Sequence, residues 1–134
     1  MYLSELNITE KNNFLELAHY AMGVNGAHKE SEKEIFEAYS QECGIGDYKL
    51  LHQDKINEVI EQLAQSEEQT KKIIILEIFG VLLADGEYCE VEKSFMENLA
   101  ESLDVDNFLL KKIKRWVQAM NDLVGEGYSM ILGS

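Results

Sequence analysis

Proline is absent from all 134 residues, so the chain lacks the residue that most often interrupts helices and punctuates loop-rich folds. Long apolar runs are missing as well. The longest, from Ile73 to Ala84, is broken by Glu77 and is too short to cross a bilayer. The amino-terminal stretch MYLSELNITEKNNF has neither a basic start nor an apolar core, so no secretory signal is expected, and cytoplasm is the default compartment. The two cysteines, Cys43 and Cys89, stand far apart in no zinc-like spacing and are expected to be free thiols. Positive charge is scarce too: 12 basic against 25 acidic side chains leave a formal charge of −13. Such a field repels phosphate backbones and anionic lipid, and it attracts cations or basic protein surfaces.

What is present points to helices. Hydrophobic residues make up 46% and charged residues 28%, ordinary proportions for a globular chain that can bury a core without disulfides or a structural metal. Any metal would then be functional. The dominant pattern is a repeat. With an offset of 60 positions, NGAHKESEKEIFEAYSQEC from Asn25 aligns with DGEYCEVEKSFMENLAESL from Asp85. Gly26, Glu30, Glu32, Lys33 and Glu37 are matched by Gly86, Glu90, Glu92, Lys93 and Glu97, five identities in nineteen positions, where chance gives about one. Apolar positions agree as well: Ile35 with Phe95, Phe36 with Met96, Tyr39 with Leu99, Ile45 with Val105.

Each unit reads as helix, tight turn, helix and a further helix. Phe14, Leu17, Ala18, Ala21 and Met22 fall on one face of the first helix. Its counterpart, about Glu67 to Ala84, opens with a capping-box signature from Ser66 to Gln69 and is apolar nearly all round. It should be the central helix. The third helices, about Asp54 to Gln65 and Asn107 to Val124, carry Ile56, Val59, Ile60, Leu63 and Phe108, Leu109, Ile113, Trp116, Val117, Met120 on their inner faces. The closing GEGYSMILG reads as a terminal loop. No segment alternates, so no sheet is expected. The predicted fold is all-α: one domain over 1–134, a six- to seven-helix bundle built from two pseudo-symmetric repeats at about 10–65 and 67–124.

The corners after the first helix of each unit are the candidate sites. Asn25-Gly26 and Asp85-Gly86 follow apolar helices, where a left-handed glycine closes the last turn. Glu32 and Glu92 would be third residues of helices capped at Lys29 and Cys89 and can reach back to an orphan N–H, while Glu30 and Glu90 favour the positive helix end. That chemistry accounts for every shared polar residue. A metal reading competes with it. Asp85, Gly86 and Glu92 have the separations of positions five, six and twelve of an EF-hand loop, but positions one and three would be Val81 and Leu83, which cannot bind calcium. An orthodox EF-hand is excluded; carboxylates from two neighbouring turns could still share a hydrated ion.

The two copies, LLADGEYCEVEKSFMENLAESLDV and MGVNGAHKESEKEIFEAYSQECGI, resemble the repeated acidic helix-corner motif of the TerB-like family, associated with tellurite resistance. The chain departs from that pattern at Lys29 and Cys89, where the family has Ser or Thr, and at Asn25, which replaces Asp. The resemblance implies a cytoplasmic helical module tied to tellurite or general chemical stress. It also implies a divalent cation (calcium, magnesium, manganese or zinc) as a ligand of the acidic residues. Asp85, Glu87, Glu90 and Glu92, with Asn25, Glu30 and Glu32 of the first copy, are the candidate metal residues.

Other chemistry is thinly represented. Cys89 at a helix start gains thiolate character from the dipole and loses it to Glu87, Glu90 and Glu92. His19 lies beside an apolar face as a packing residue, and His28 belongs to an exposed turn. The sequence holds no nucleophile elbow, phosphate loop, dinucleotide fingerprint or HExxH motif. KKIKRW, from Lys111 to Trp116, reads as a solvated face with Trp116 turned inward, a patch too small to bring nucleic acid to a chain of charge −13. A non-enzymatic interaction module with a cation or a basic protein partner is the expected function, without nucleic acid or membrane insertion. A metal-dependent enzyme, which would need a concave pocket with polar groups converging on the ion, and a metal-free structural module are the alternatives.

Overall fold

α1 (Ile8–Met22), α2 (Glu30–Glu42), α3 (Ile56–Leu63), α4 (Glu68–Leu82), α5 (Glu90–Ser102) and α6 (Asn107–Leu132), with single 3₁₀ turns at Leu3–Glu5 and Gln53–Lys55, are the elements of the computed structural model. It describes residues 1–26, 30–84 and 87–133, the side chains of Glu30 and Ser31 aside, and no strand occurs among them. α1 and α4 pack against each other. α2 and α3 cover α1, α5 and α6 cover α4, and α3 also touches α5. α1 and α4 are each fifteen residues long and α2 and α5 each thirteen, and both pairs start 60 positions apart.

α4 is the central helix. Ile73, Ile74, Ile75, Ile78, Phe79, Val81 and Leu82 are all buried, over most of its circumference, and only the side of Gln69, Lys72, Leu76 and Gly80 is less covered. Phe14, Leu17, Ala18, Ala21 and Met22 of α1 are buried as their spacing predicts, and so are Val59 and Leu63 of α3. At Gly80 a Cβ would lie 2.9 Å from the Tyr39 hydroxyl oxygen. The missing side chain therefore leaves room beside α4 for the Tyr39 hydroxyl of α2.

α2 and α5 end in the same way. Cys43 and Leu103 donate to the carbonyls of Tyr39 and Leu99, and Ile45 and Val105 donate back to Ser40 and Ala100, both at 2.8 Å. Between them stand Gly44 with φ 78° and Asp104 with φ 57°. This closure needs a left-handed residue, which glycine supplies at no steric cost and aspartate supplies under strain.

Several expectations are corrected. Ser66 caps nothing: α4 starts after Glu67, and the Ser66 hydroxyl donates to Glu10 Oε2 at 2.7 Å. Glu10 Oε1 accepts the Asn7 N–H at 2.9 Å while Asn7 Oδ1 accepts the Glu10 N–H at 2.8 Å. The capping box thus belongs to α1, and the serine is recruited to its glutamate. α3 is shorter than predicted, its first turn being the separate 3₁₀ turn at Gln53–Lys55. GEGYSMILG is not a loop: α6 runs on to Leu132, and only Gly133, at φ 73°, ends it. Phe108 is 81% and Trp116 44% exposed rather than turned inward; Leu110, Ile113 and Val117 hold the buried side of α6 instead.

Two glutamates lie where apolar residues would be expected. Glu16 is fully buried on α1. Its Oε2 accepts from the Tyr48 hydroxyl and, at 2.9 Å, the Leu51 N–H. Its Oε1 accepts the His52 N–H at 3.1 Å and Gln53 Nε2 at 2.8 Å. One side chain therefore fixes the connection between α2 and α3. Burial is the largest effect on its acidity and acts to raise the pKa, but the four donors together hold it below the ordinary value. Glu77 of α4 is also buried, and its Oε2 lies 2.8 Å from the Met1 ammonium, which meets Glu42 Oε2 at 2.6 Å. Burial on its own would lower the pKa of that ammonium, but Glu42 and Glu77 hold it above the ordinary value.

Because the Glu16 pKa is depressed on folding, the stability it adds is complete above the ordinary carboxylate range and is lost as pH falls through the lowered value. Tyr48 is displaced upward, by burial first and by Glu16 second, so its share is present below its ordinary 10.0 and is lost only as pH rises well beyond it. Glu16→Gln should cost about 2 kcal/mol at neutral pH, since charged acceptors make the stronger hydrogen bonds. Urea unfolding from pH 7 to 3 should show the gap to the wild type narrowing in acid. Asp104→Gly should stabilise the fold by roughly 0.5–1 kcal/mol, by relieving left-handed strain, read as a rise in the urea midpoint at unchanged slope.

Candidate functional site

The corner between α4 and α5 is built from the start of α5 outward. Cys89 is the residue before the helix, and its N–H donates to Glu92 Oε1 at 3.0 Å. Glu92 is buried and returns to the helix start as its spacing predicts, so its charge meets the positive end of α5. Glu87 and Glu90 are exposed beside it. Tyr88 leans inward, its ring 6.2 Å from that of Phe79, with Lys114 Nζ 4.6 Å from the ring centre. Burial, with Glu92 and Glu97 behind it, pushes the Tyr88 phenol up to about 12. The Cys89 thiol is exposed; that of Cys43 is buried and raised to about 11, chiefly by burial.

The corresponding corner after α1 is less completely described. Asn25 is exposed and Gly26 takes the predicted left-handed conformation, φ 79°, although Gly23 is the residue that ends α1. Glu32 is half-buried. Asp85, Gly86, His28, Lys29 and the Glu30 side chain lie outside the described residues. Among the described residues no group of three or more His, Cys, Asp and Glu is arranged to hold a metal ion. The structure brings Glu87, Glu90 and Glu92 to one helix start and gives Glu92 a capping bond. His19 packs as expected, edge-on to Phe36 at 5.7 Å with Nδ1 3.1 Å from Gln53 Oε1.

Other polar and apolar surfaces escaped the sequence reading. Glu97, Glu101, Asp104 and Asp106 line a cleft of about 550 Å³ where α5 turns into α6; they are spread along a helix and a turn, with no motif to group them. An apolar groove of about 740 Å³ lies between α4 and α6, floored by Tyr2, Ile73, Leu76, Leu109, Ile113 and Trp116. Its signal was the exposed side of the α6 stripe. Among the described residues no helix is long and apolar enough to cross a membrane.

The two readings of Glu92 separate by substitution. As a cap, Glu92→Gln keeps the acceptor and should cost little, whereas Glu92→Ala should cost about 1 kcal/mol. Equal losses for the two variants in thermal unfolding would show that the charge, not the cap, is what the position requires.

Comparison with known proteins agrees with this architecture. Residues 4–115 match the family model described as tellurite resistance protein TerB. No curated protein and no solved structure matches the chain. The match runs from the first 3₁₀ turn through α5 into the first part of α6, and the chain belongs to the TerB family.

Proposed function

We propose that the protein is a non-enzymatic cytoplasmic TerB module of the response to tellurite and related chemical stress, one that presents acidic helix corners to a divalent cation or a basic protein surface. The observation that carries this reading is the division of labour at the start of α5. Glu92 is buried as a cap while Glu87 and Glu90 stand exposed beside it. The corner is thereby anchored from within and charged on its outer side. With Asp85 it offers oxygen donors, which suit calcium, magnesium or manganese better than zinc. The −13 charge draws either kind of ligand toward the surface.

We also read the single domain as a duplication, with units at about 10–65 and 67–124. The matched lengths and starts of α1 with α4 and of α2 with α5, and the matched closures at Gly44 and Asp104, support this reading. Asn25, Glu30 and Glu32 are then the first unit's equivalents of Asp85, Glu90 and Glu92.

An amide chemical-shift titration with calcium, magnesium, manganese and zinc, following Gly26 and Gly86 in the protein and in an Asp85→Asn variant, tests the cation. Saturable shifts at Gly86 that disappear in the variant are the expected result. If no ion produces them, a lysine-rich peptide titrated against the same amides tests the basic surface. Silence in both titrations would remove the acidic corners from the function.

A further inference from the structure

α6 is 26 residues long, about 39 Å at 1.5 Å per residue, yet its last buried residue is Val117. Beyond Asn121, which with Met120 lines a cavity against α2 and α4, the helix leaves the body and carries Leu123, Val124, Tyr128, Met130, Ile131 and Leu132 into solvent, each more than half exposed. The stripe facing away from the core reads Leu109, Lys112, Trp116, Ala119, Leu123, Glu126, Met130, at alternating intervals of three and four, the spacing of a helix–helix seam. Leu109 is half-buried, and the other six are exposed.

This stripe is complementary to its own reverse. Read backwards against itself, Leu109 meets Met130, Lys112 meets Glu126, Trp116 meets Leu123, and Ala119 meets Ala119. On one flank Arg115 then falls near Asp122. A parallel alignment would instead set Lys112 on Lys112 and Glu126 on Glu126, a repulsive arrangement. On the other flank the tail's Val124 and Ile131 would lie over the apolar groove between α4 and α6, which Leu109, Ile113 and Trp116 share with Ile73 and Leu76. The two sides of such an interface are one patch used twice, as a twofold dimer requires. A lipid surface is the other occupant able to take an exposed apolar helix, but it offers no counterpart to the alternating Lys112, Arg115, Asp122 and Glu126, which a second copy matches.

We propose that the outer stripe of α6 is a self-association surface, on which a second copy of this chain lies antiparallel with its twofold axis at Ala119 and each tail seated in the other copy's groove. Sedimentation velocity of the full chain from about 1 to about 100 μM, where a micromolar association is visible, should show a monomer–dimer equilibrium. Leu123→Asp should leave a monomer of unchanged helix content. Lys112→Glu and Glu126→Lys should each weaken the dimer roughly tenfold or more, and the two together should restore it. In a Cys89→Ser background, Ala119→Cys should oxidise to a covalent dimer. A chain that stays monomeric at every concentration, or a charge swap that fails to restore association, overturns the proposal. So does a monomer that floats with phosphatidylglycerol vesicles through its tail, which would assign the stripe to a membrane.

Discussion

α4 buries apolar side chains over most of its circumference, and a helix of that kind is stable only when other helices cover those sides. α1 supplies one cover, and α5 and α6 supply others. Placing α4 in the middle also sets the cost of every polar group on it. Lys71 and Glu77 are both buried there, and each is paired: Lys71 Nζ with Glu68 Oε1 at 2.8 Å, Glu77 with the Met1 ammonium. A buried charge without such a partner would cost several kcal/mol.

The same requirement explains the connections. A carboxylate with no exposure, as at Glu16, must find donors for both oxygens, and the nearest available ones are the backbone and side chains of the chain between α2 and α3. That stretch has little regular structure of its own, so its path is set by a group on another helix. The outcome is a connection in which four donors converge on one ionised side chain.

Periodicity made the helices, the central position of α4 and the start of α5 legible, because burial selects apolar residues at 3.6-residue spacing and caps are local. The role of Glu92 could be read for the same reason: its partner is three residues away. Glu16 could not, since its four donors lie 32 to 37 positions distant and nothing local distinguishes a buried glutamate from a solvated one. Ser66 has the residue type and spacing of a cap, but its hydroxyl is claimed by Glu10 across a packing contact. Hydrophobicity alone places Trp116 and Phe108 inward, but α6 has apolar residues on more of its circumference than α4 can cover. Gly125 and Gly127 in GEGYSMILG argue for a loop, but their propensity cost of about 1 kcal/mol each is too small to stop the helix. The corner itself was found as a pattern, although Asp85 and Gly86 lie outside the described residues.

The family match ends at residue 115, inside α6, and the exposed part of the helix begins a few residues later. The body and the tail therefore answer to different constraints. In the body, the acidic surface and the packed core satisfy each other: charge faces water, and apolar residues face α4. The tail has no such interior, and its apolar side chains cost solvation for as long as nothing covers them. What keeps this from being indiscriminate stickiness is charge placement. The global charge of −13 opposes close approach of two copies in most orientations, whereas the antiparallel register alone brings Lys112 and Arg115 against Glu126 and Asp122. Apolar area then supplies the attraction, and electrostatics restrict it to one geometry. In that arrangement the acidic corners at the start of α5 are carried in two copies, so a basic partner or cation-bridged surface would meet them as a pair.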